Sequence, residues 1–311
     1  MSDIARINLL LLGLVATIAL TIVVHVPGNT AGGSASVLAS PYCLSDPAEL
    51  SLQGRAAYAE DLVSGTTLYA YNEDAQLPLA SLTKIMTVLT ARDTLSESDT
   101  VTATKDALSA DGDSGLREGE KWGVQELTDL TLMASLNDGA RALALAAAQK
   151  EGITLPQFIE KMNTKAKMIG LTQTYFLNET GLDVSQSNAG AYGSAHDVVK
   201  LLAYAVQHAP RFVEGSTEET KSFTSESGFV HKAQNTSPLP AGLPGVIASK
   251  TGFTDLAGGN LVVMFEPLPG RPVAAVVLGS TREGRDTDMK ILAAAAQKTL
   301  RRELLCATPT P

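Results

Sequence analysis

Three short groups of residues combine side chains that could perform acyl transfer. The chain contains Ser81-Leu82-Thr83-Lys84, then Ser135-Leu136-Asn137, and finally Lys250-Thr251-Gly252. A serine hydroxyl is a weak nucleophile until a base takes its proton, and a neutral lysine amine can be that base. The order S-x-x-K, S-x-N, K-T-G is typical of enzymes that use such a serine–lysine pair. Each group alone is weak evidence, although K-T-G is rarer than the other two, so the interpretation depends on their order and structural setting.

The residues around the first group predict a helix that begins near Ser81. Pro78 disfavours helical backbone just before it, and serine is favoured at the start of a helix. The apolar positions in 82–91 fit a largely buried helix. Ser81 would then lie at a helix N-terminus, with Lys84 one turn away on the same face. A capping serine followed by a solvated lysine is the alternative for this group alone.

The second and third groups lie at the ends of other predicted elements. A helix over 124–134 ends just before Ser135, and Asn137-Asp138-Gly139 offers a cap for a second helix over 140–148. The third group lies in a predicted strand over 245–254. Simple capping between helices, and an exposed lysine at a strand end, are the alternatives that these residues leave open.

The order of the predicted elements indicates an α+β domain. A hairpin formed by 55–62 and 67–71 comes first, and a mostly helical middle follows. Two further strands, 260–265 and 273–279, continue an antiparallel meander before a final helix over 287–305. This order predicts an α/β sandwich, in which an antiparallel sheet is flanked by helices, with an all-helical lobe added to it.

The N-terminal residues predict a membrane attachment. An apolar run over 7–26 is long enough to cross a bilayer as a helix. Arg6 precedes the run and no Lys or Arg follows it until Arg55, which predicts that the catalytic part is extracytoplasmic, at the cell membrane. A cleaved signal peptide is the alternative. The predicted organisation is a cytoplasmic N-terminus (1–6), a transmembrane anchor or signal segment (7–26), a flexible linker (27–50) and a catalytic domain (51–306).

Charge and the scarcity of metal-binding residues exclude several classes of function. The 311 residues carry a formal net charge of −9 at pH 7 without a compensating Lys/Arg cluster, which argues against a nucleic-acid partner. No H-x-x-H or H-x-x-x-H pair occurs, so we expect no metal site. Cys43 and Cys306 could pair in an oxidising compartment or remain free thiols.

From about Arg55 to Leu305 the chain resembles the serine-type D-Ala-D-Ala carboxypeptidases, the low-molecular-mass penicillin-binding proteins of the peptidase S11 type. The resemblance extends beyond the three groups to matching stretches at 79–87, 137–140, 158–163 and 250–254. It implies the penicillin-recognising serine-transferase fold, which β-lactamases and transpeptidases share, and no metal or organic cofactor. It implies peptidoglycan stem peptides that end in D-Ala-D-Ala as substrates, and acylation by β-lactams.

The resemblance also implies a role for each candidate site residue. Ser81 would be the acylated nucleophile, Lys84 its base, and Ser135 the relay that passes a proton to the leaving D-alanine. Burial beside Lys250 would lower the pKa of Lys84 and make a neutral amine available. The implied substrate-binding residues are Asn137, Lys250, Thr251, Gly252, Phe253 and Arg285. Among them, Thr251 would bind the terminal carboxylate, and the backbone N–H groups of Ser81 and Phe253 would form the oxyanion hole.

Two other functions remain open at this stage. A β-lactamase would need a carboxylate that activates a deacylating water, and Glu160 and Glu179 are candidates only by residue type. A non-catalytic penicillin-binding sensor or scaffold would be acylated at Ser81 without releasing D-alanine, although the three intact groups argue against it. Leu136 stands where many relatives have glycine, so the pocket wall is expected to differ.

Overall fold

A computed structural model describes residues 49–112, 115–209, 217–237, 243 and 245–307. The strands are β1 (Ala56–Asp61), β2 (Thr66–Tyr71), β3 (Leu77–Pro78), β4 (Thr100–Thr102), β5 (Lys121–Gly123), β6 (Tyr175–Phe176), β7 (Ala191–Gly193), β8 (Thr220–Thr224), β9 (Val230–Gln234), β10 (Val246–Thr254), β11 (Gly258–Leu268) and β12 (Arg271–Ser280). The helices are α1 (Thr83–Arg92), α2 (Val124–Ala134), α3 (Asn137–Glu151), α4 (Leu155–Ile169), α5 (Ala195–His208) and α6 (Gly284–Ala307).

The largest sheet has five antiparallel strands in the order β10-β11-β12-β1-β2. The predicted hairpin forms its β1–β2 edge, and the predicted meander forms β10, β11 and β12. Strand β10 therefore lies at the opposite edge, where one side of its backbone is free to face other elements. Because the third chemical group lies on β10, this edge is where a substrate backbone could approach.

Both faces of this sheet are covered, which explains the nearly continuous apolar sequence of β12. Val273, Ala275 and Val277 pack with the buried side chains of α6 on one face. Their neighbours on β12 point to the other face, where they join α5 and the helical lobe in a second core cluster. The expected α+β sandwich with helices on both sides is confirmed.

Helix α1 runs through the interior of the helical lobe and contacts α3, α4 and α5. Every residue of α1 before Arg92 is buried, including the polar residues Lys84, Thr87 and Thr90. A buried charged group loses its hydration, so it must find partners or change its protonation state. The position of α1 therefore determines the chemistry of Lys84.

Several sequence-based predictions concern residues that the structure does not describe. Outside the described residues lie the apolar run 7–26 and residues 27–48, which include Cys43. Within the described ranges, no helix combines the length and the apolar character that a bilayer crossing requires. Cys306, near the end of α6, is disulfide-bonded.

Candidate active site

Ser81 lies in a single 3-10 turn, Ala80–Leu82, which leads directly into α1. Ala80 has a φ of 49°, in the left-handed region that residues other than glycine rarely adopt. The residue at the N-cap position of α1 is Leu82, and the hydroxyl of Ser81 does not cap this helix. The capping alternative for Ser81 is therefore wrong, and its side chain is turned towards Lys84.

The amine of Lys84 contacts three oxygen atoms. Its Nζ lies 2.6 Å from Oγ of Ser81, 2.7 Å from Oδ1 of Asn137 and 3.1 Å from the carbonyl oxygen of Thr180. The two carbonyl-type oxygens can only accept hydrogen bonds, so each takes one N–H of the amine. A neutral amine then directs its lone pair at the hydroxyl of Ser81, in the orientation needed to accept its proton.

Burial lowers the pKa of Lys84 to about 7, although the carboxylates of Glu179 and Asp138 act in the opposite direction. A large fraction of the amine is therefore neutral near pH 7. The neighbouring Lys250 is buried as well, and its charge and that of Lys84 disfavour each other. Burial, followed by the charges of Lys84 and Arg285, holds the pKa of Lys250 well below its ordinary value.

The junction between α2 and α3 presents Ser135 and Asn137. Ser135 follows α2 in the left-handed conformation, with φ 61° and ψ 38°. Helix α3 begins at Asn137 after Leu136, so the prediction that Asn137-Asp138-Gly139 caps a helix starting at Ala140 was wrong. The side-chain amide of Asn137 is used instead to contact Lys84 through Oδ1 and to donate through Nδ2 to the carbonyl of Asp111, at 2.7 Å.

Strand β10 brings the third group to the other two. Nζ of Lys250 donates to Oγ of Ser135 and to the carbonyl of Thr251, both at 2.8 Å. A Cβ atom at Gly252 would lie 2.9 Å from the carbonyl oxygen of Leu79 and 3.2 Å from the backbone nitrogen of Ser81. Glycine is therefore required for β10 to lie against the turn that presents Ser81.

The remaining predicted residues lie beside Gly252. The guanidinium of Arg285, in the first turn of α6, donates to the carbonyl of Gly252 at 3.0 Å. Oγ1 of Thr251 lies 2.6 Å from Oγ1 of Thr236, and the guanidinium of Arg282 stacks 4.0 Å from the ring centre of Phe253. The structure thus brings together every site residue predicted from the sequence: Ser81, Lys84, Ser135, Asn137, Lys250, Thr251, Gly252, Phe253 and Arg285.

The sequence reasoning missed the loop that contains Thr180. Oδ1 of Asn178 accepts hydrogen bonds from the N–H groups of Thr180 and Gly181, and Nδ2 donates to the carbonyl of Leu182. These bonds fix the Thr180 carbonyl that holds Lys84. Asparagine followed three residues later by glycine is a turn signal that could have located this loop. Nothing in the sequence marks the Thr180 carbonyl as a partner of Lys84.

The sequence is similar to known proteins of one family. Residues 44–282 match the family described as D-alanyl-D-alanine carboxypeptidase. This chain belongs to that family. It is 31% identical over 251 residues to D-alanyl-D-alanine carboxypeptidase DacF of Bacillus subtilis, a match that covers 78% of this chain and 61% of DacF. It is also 31% identical over 228 residues to DacB2 of Mycobacterium tuberculosis, covering 73% of this chain and 75% of DacB2.

A solved structure of the penicillin-binding class has the same fold. Penicillin-binding protein D2 of Listeria monocytogenes, in its ampicillin-bound form, superposes with a TM-score of 0.68 at 29% identity. The match covers 80% of this chain and 99% of the Listeria chain. The expected penicillin-recognising serine-transferase fold is therefore confirmed for this family member.

The two carboxylates considered for a β-lactamase are placed differently from each other. Glu160 is exposed on α4. Glu179 is buried in the Thr180 loop, and its carboxylate pairs with Nη1 of Arg141 at 3.4 Å. Its Oε1 is thus engaged with a guanidinium.

Within the described ranges, no group of three or more His, Cys, Asp or Glu residues could hold a metal ion.

Proposed function

We propose that this chain is a serine D,D-carboxypeptidase that removes the terminal D-alanine from peptidoglycan stem pentapeptides. The observation that carries the proposal is the amine of Lys84, held by two acceptors so that its third direction faces Oγ of Ser81 at 2.6 Å. Penicillins would acylate the same hydroxyl, since they present a reactive amide carbonyl beside a carboxylate. Membership of the D-alanyl-D-alanine carboxypeptidase family supports this substrate class.

In the acylation step, Oγ of Ser81 attacks the carbonyl carbon of the terminal peptide bond while its proton passes to Nζ of Lys84. The backbone N–H groups of Ser81 and Phe253 would stabilise the negative charge that develops on the carbonyl oxygen. The position of Ser81 beside α1 adds favourable potential there, because a helix N-terminus is positive.

The tetrahedral intermediate collapses when the C–N bond breaks, and D-alanine leaves once its nitrogen has received a proton. Ser135 would relay that proton from Lys84, and Nζ of Lys250 holds the Ser135 hydroxyl in place at 2.8 Å. Water then attacks the acyl carbon and gives its proton to Lys84, which returns it to Ser81. The products are the shortened peptide, with a new carboxylate, and free D-alanine.

A local cation would recognise the terminal carboxylate in an otherwise acidic protein. The chain carries a net charge of −9, and burial lowers the pKa of both site lysines, Lys84 and Lys250. The positive charge near the carboxylate would therefore come mainly from the guanidinium of Arg285. The guanidinium of Arg285 donates to the carbonyl of Gly252. Gly252 follows Thr251, whose hydroxyl would donate to the carboxylate. A charged acceptor strengthens such a hydrogen bond.

The direct test is incubation of the protein with a pentapeptide that ends in D-Ala-D-Ala, followed by mass analysis of the products. We expect loss of one alanine residue, and with penicillin a covalent adduct on the peptide that contains Ser81. Ser81→Ala should abolish both, whereas Ser187→Ala, at an exposed loop position, should change neither. If penicillin forms the adduct on Ser81 but the pentapeptide stays intact, the protein is a penicillin-binding sensor. If the adduct is lost rapidly, the protein is a β-lactamase.

The activity is expected to rise with pH and to level off above about pH 7, because burial lowers the pKa of Lys84 to about 7 and only the neutral amine can accept the Ser81 proton. The Glu179 carboxylate raises that pKa, so Glu179→Gln should move the acid limb of the kcat/KM profile to lower pH. Glu160→Gln, the same change at an exposed position, should leave the limb in place. If the acid limb of the Glu179→Gln profile stays at the wild-type pH or moves to higher pH, this electrostatic account is contradicted.

We also propose that residues 7–26 attach the catalytic domain to the outer side of the cell membrane. The support is the apolar run itself, with Arg6 before it and no Lys or Arg until Arg55. Cell fractionation of the full chain, with mass analysis of its N-terminus, separates the two sequence-based alternatives. An uncleaved, detergent-extractable protein supports an anchor, and a cleaved, soluble protein indicates a signal peptide.

A further inference from the structure

Thr236, just after the end of β9, lies between three elements that present site residues. Its N–H donates to the carbonyl of Met133, at 3.2 Å, two residues before Ser135. Its carbonyl accepts from Nη2 of Arg285 at 3.3 Å, and its Oγ1 lies 2.6 Å from Oγ1 of Thr251. Thr236 therefore contacts the end of α2, the edge strand β10 and the cation of α6 at once.

The hydrogen-bond arrangement at Thr236 depends on which hydroxyl donates. Each threonine hydroxyl has one proton and donates once, while its oxygen can still accept. Thr251 can therefore donate either to Thr236 or to a bound carboxylate, but not to both. Thr236 has a second acceptor, the carbonyl of Met133, 3.5 Å from its Oγ1. This distance is at the outer limit of a hydrogen bond.

Two arrangements follow from this constraint. Without a ligand, Thr251 can donate to Thr236, whose own proton then turns towards Met133. With a carboxylate present, the direction reverses, so that Thr236 donates to Thr251 and Thr251 donates to the carboxylate. The second arrangement is favoured when the last acceptor is charged, because each hydrogen bond in such a chain polarises the next.

We propose that Thr236 is a positioning residue for the terminal carboxylate of the substrate. Its hydroxyl donates to Oγ1 of Thr251 and turns the Thr251 proton towards the carboxylate, while its carbonyl holds the Arg285 guanidinium on the same side. The inference rests on the proposed function, since the ligand group is the free carboxylate of the terminal D-alanine. Thr236 contributes to binding of that carboxylate and not to the transfer of the acyl group.

The test compares Thr236→Val, which keeps the shape and removes the hydroxyl, with Thr236→Ser, which keeps the hydroxyl. The substrates are a D-Ala-D-Ala pentapeptide with a free C-terminal carboxylate and the same peptide with a C-terminal amide. For Thr236→Val we expect KM of the free acid to rise roughly 10-fold, the effect of losing one hydrogen bond that serves a charged group, with kcat nearly unchanged. Turnover of the amide should stay as in the wild type, and Thr236→Ser should restore the low KM.

Thr224→Val is the matched control, because Thr224 is exposed at the end of β8, the strand that pairs with β9. It should leave the turnover of both substrates unchanged. Equal losses on the acid and the amide would indicate a structural role and overturn the inference. So would an unchanged KM, or a serine variant as impaired as the valine variant.

The proposed function can fail separately from this inference. If the wild type leaves both peptides intact, the carboxypeptidase assignment is wrong, and Thr236 is then tested by acylation of Ser81 with a penicillin and with its methyl ester. Thr236→Val should slow acylation by the free acid roughly 10-fold and leave acylation by the ester unchanged. Absence of any acylation in the wild type, or no selective loss in the variant, overturns the role of Thr236.

Discussion

Replacing Lys84 by methionine is expected to lower kcat/KM for D-alanine release by roughly 10³-fold or more, since a positioned general base contributes about 10² to 10⁴ and here also activates the nucleophile. The amine contacts Ser81, Asn137 and Thr180, and methionine can replace none of these polar contacts. Acylation of Ser81 by penicillin should slow by a similar factor, because it uses the same proton transfer. Both rates can be measured, by D-alanine release and by mass analysis of the adduct.

The Lys84→Met variant should remain folded, which separates a chemical defect from a structural one. Methionine fills a similar volume and removes the cost of burying an amine, although the acceptors on Asn137 and Thr180 lose a donor. Lys150→Met, the same change at an exposed position on α3, should leave both rates unaltered. A Lys84→Met protein that retains activity within about tenfold of the wild type would rule out Lys84 as the base.

Replacing Gly181 by alanine should be the most destabilising of the small substitutions near the site. Gly181 has a φ of 78°, and an added Cβ atom would lie only 1.9 Å from the carbonyl oxygen of Ala80 and 2.5 Å from Oγ1 of Thr83. The Thr180 loop and the Ser81 turn would have to separate. We expect the free energy of unfolding to fall by about 3 to 5 kcal/mol and D-alanine release to be largely lost.

Gly152→Ala provides the matched control for this prediction. Gly152 ends α3 with a φ of 69°, and an added Cβ atom there would meet nothing within 4 Å. Both substitutions place alanine in the left-handed region, at a cost of about 1 to 2 kcal/mol. The difference between their losses of unfolding free energy therefore measures the clash of the added Cβ atom at Gly181 with Ala80 and Thr83. Urea denaturation gives both values, and equal destabilisation would show that the contact between the loop and the turn relaxes freely.

The regular elements were largely predictable because they follow from local periodicity. The hairpin β1–β2, the meander β10–β12 and helix α1 were expected near their observed positions, since alternation and helical spacing are written into neighbouring residues. The start of α3 was not, because the sequence indicated a cap at Asn137 where the structure uses its amide for Lys84 and Asp111. A tertiary contact thus overrode a local capping preference.

The sequence by itself determined which residues meet through helical geometry. Ser81 and Lys84 are three residues apart where the 3-10 turn leads into α1, so their proximity needs no other element. Only the tertiary structure decided that the amine is fully buried and held by Asn137 and by Thr180, which are 53 and 96 residues away in the chain. The pKa of Lys84 depends on desolvation and on charges in space. The hydroxyl contact between Thr236 and Thr251 depends on where the residues that follow β9 lie against β10. Spacing along the chain encodes neither quantity.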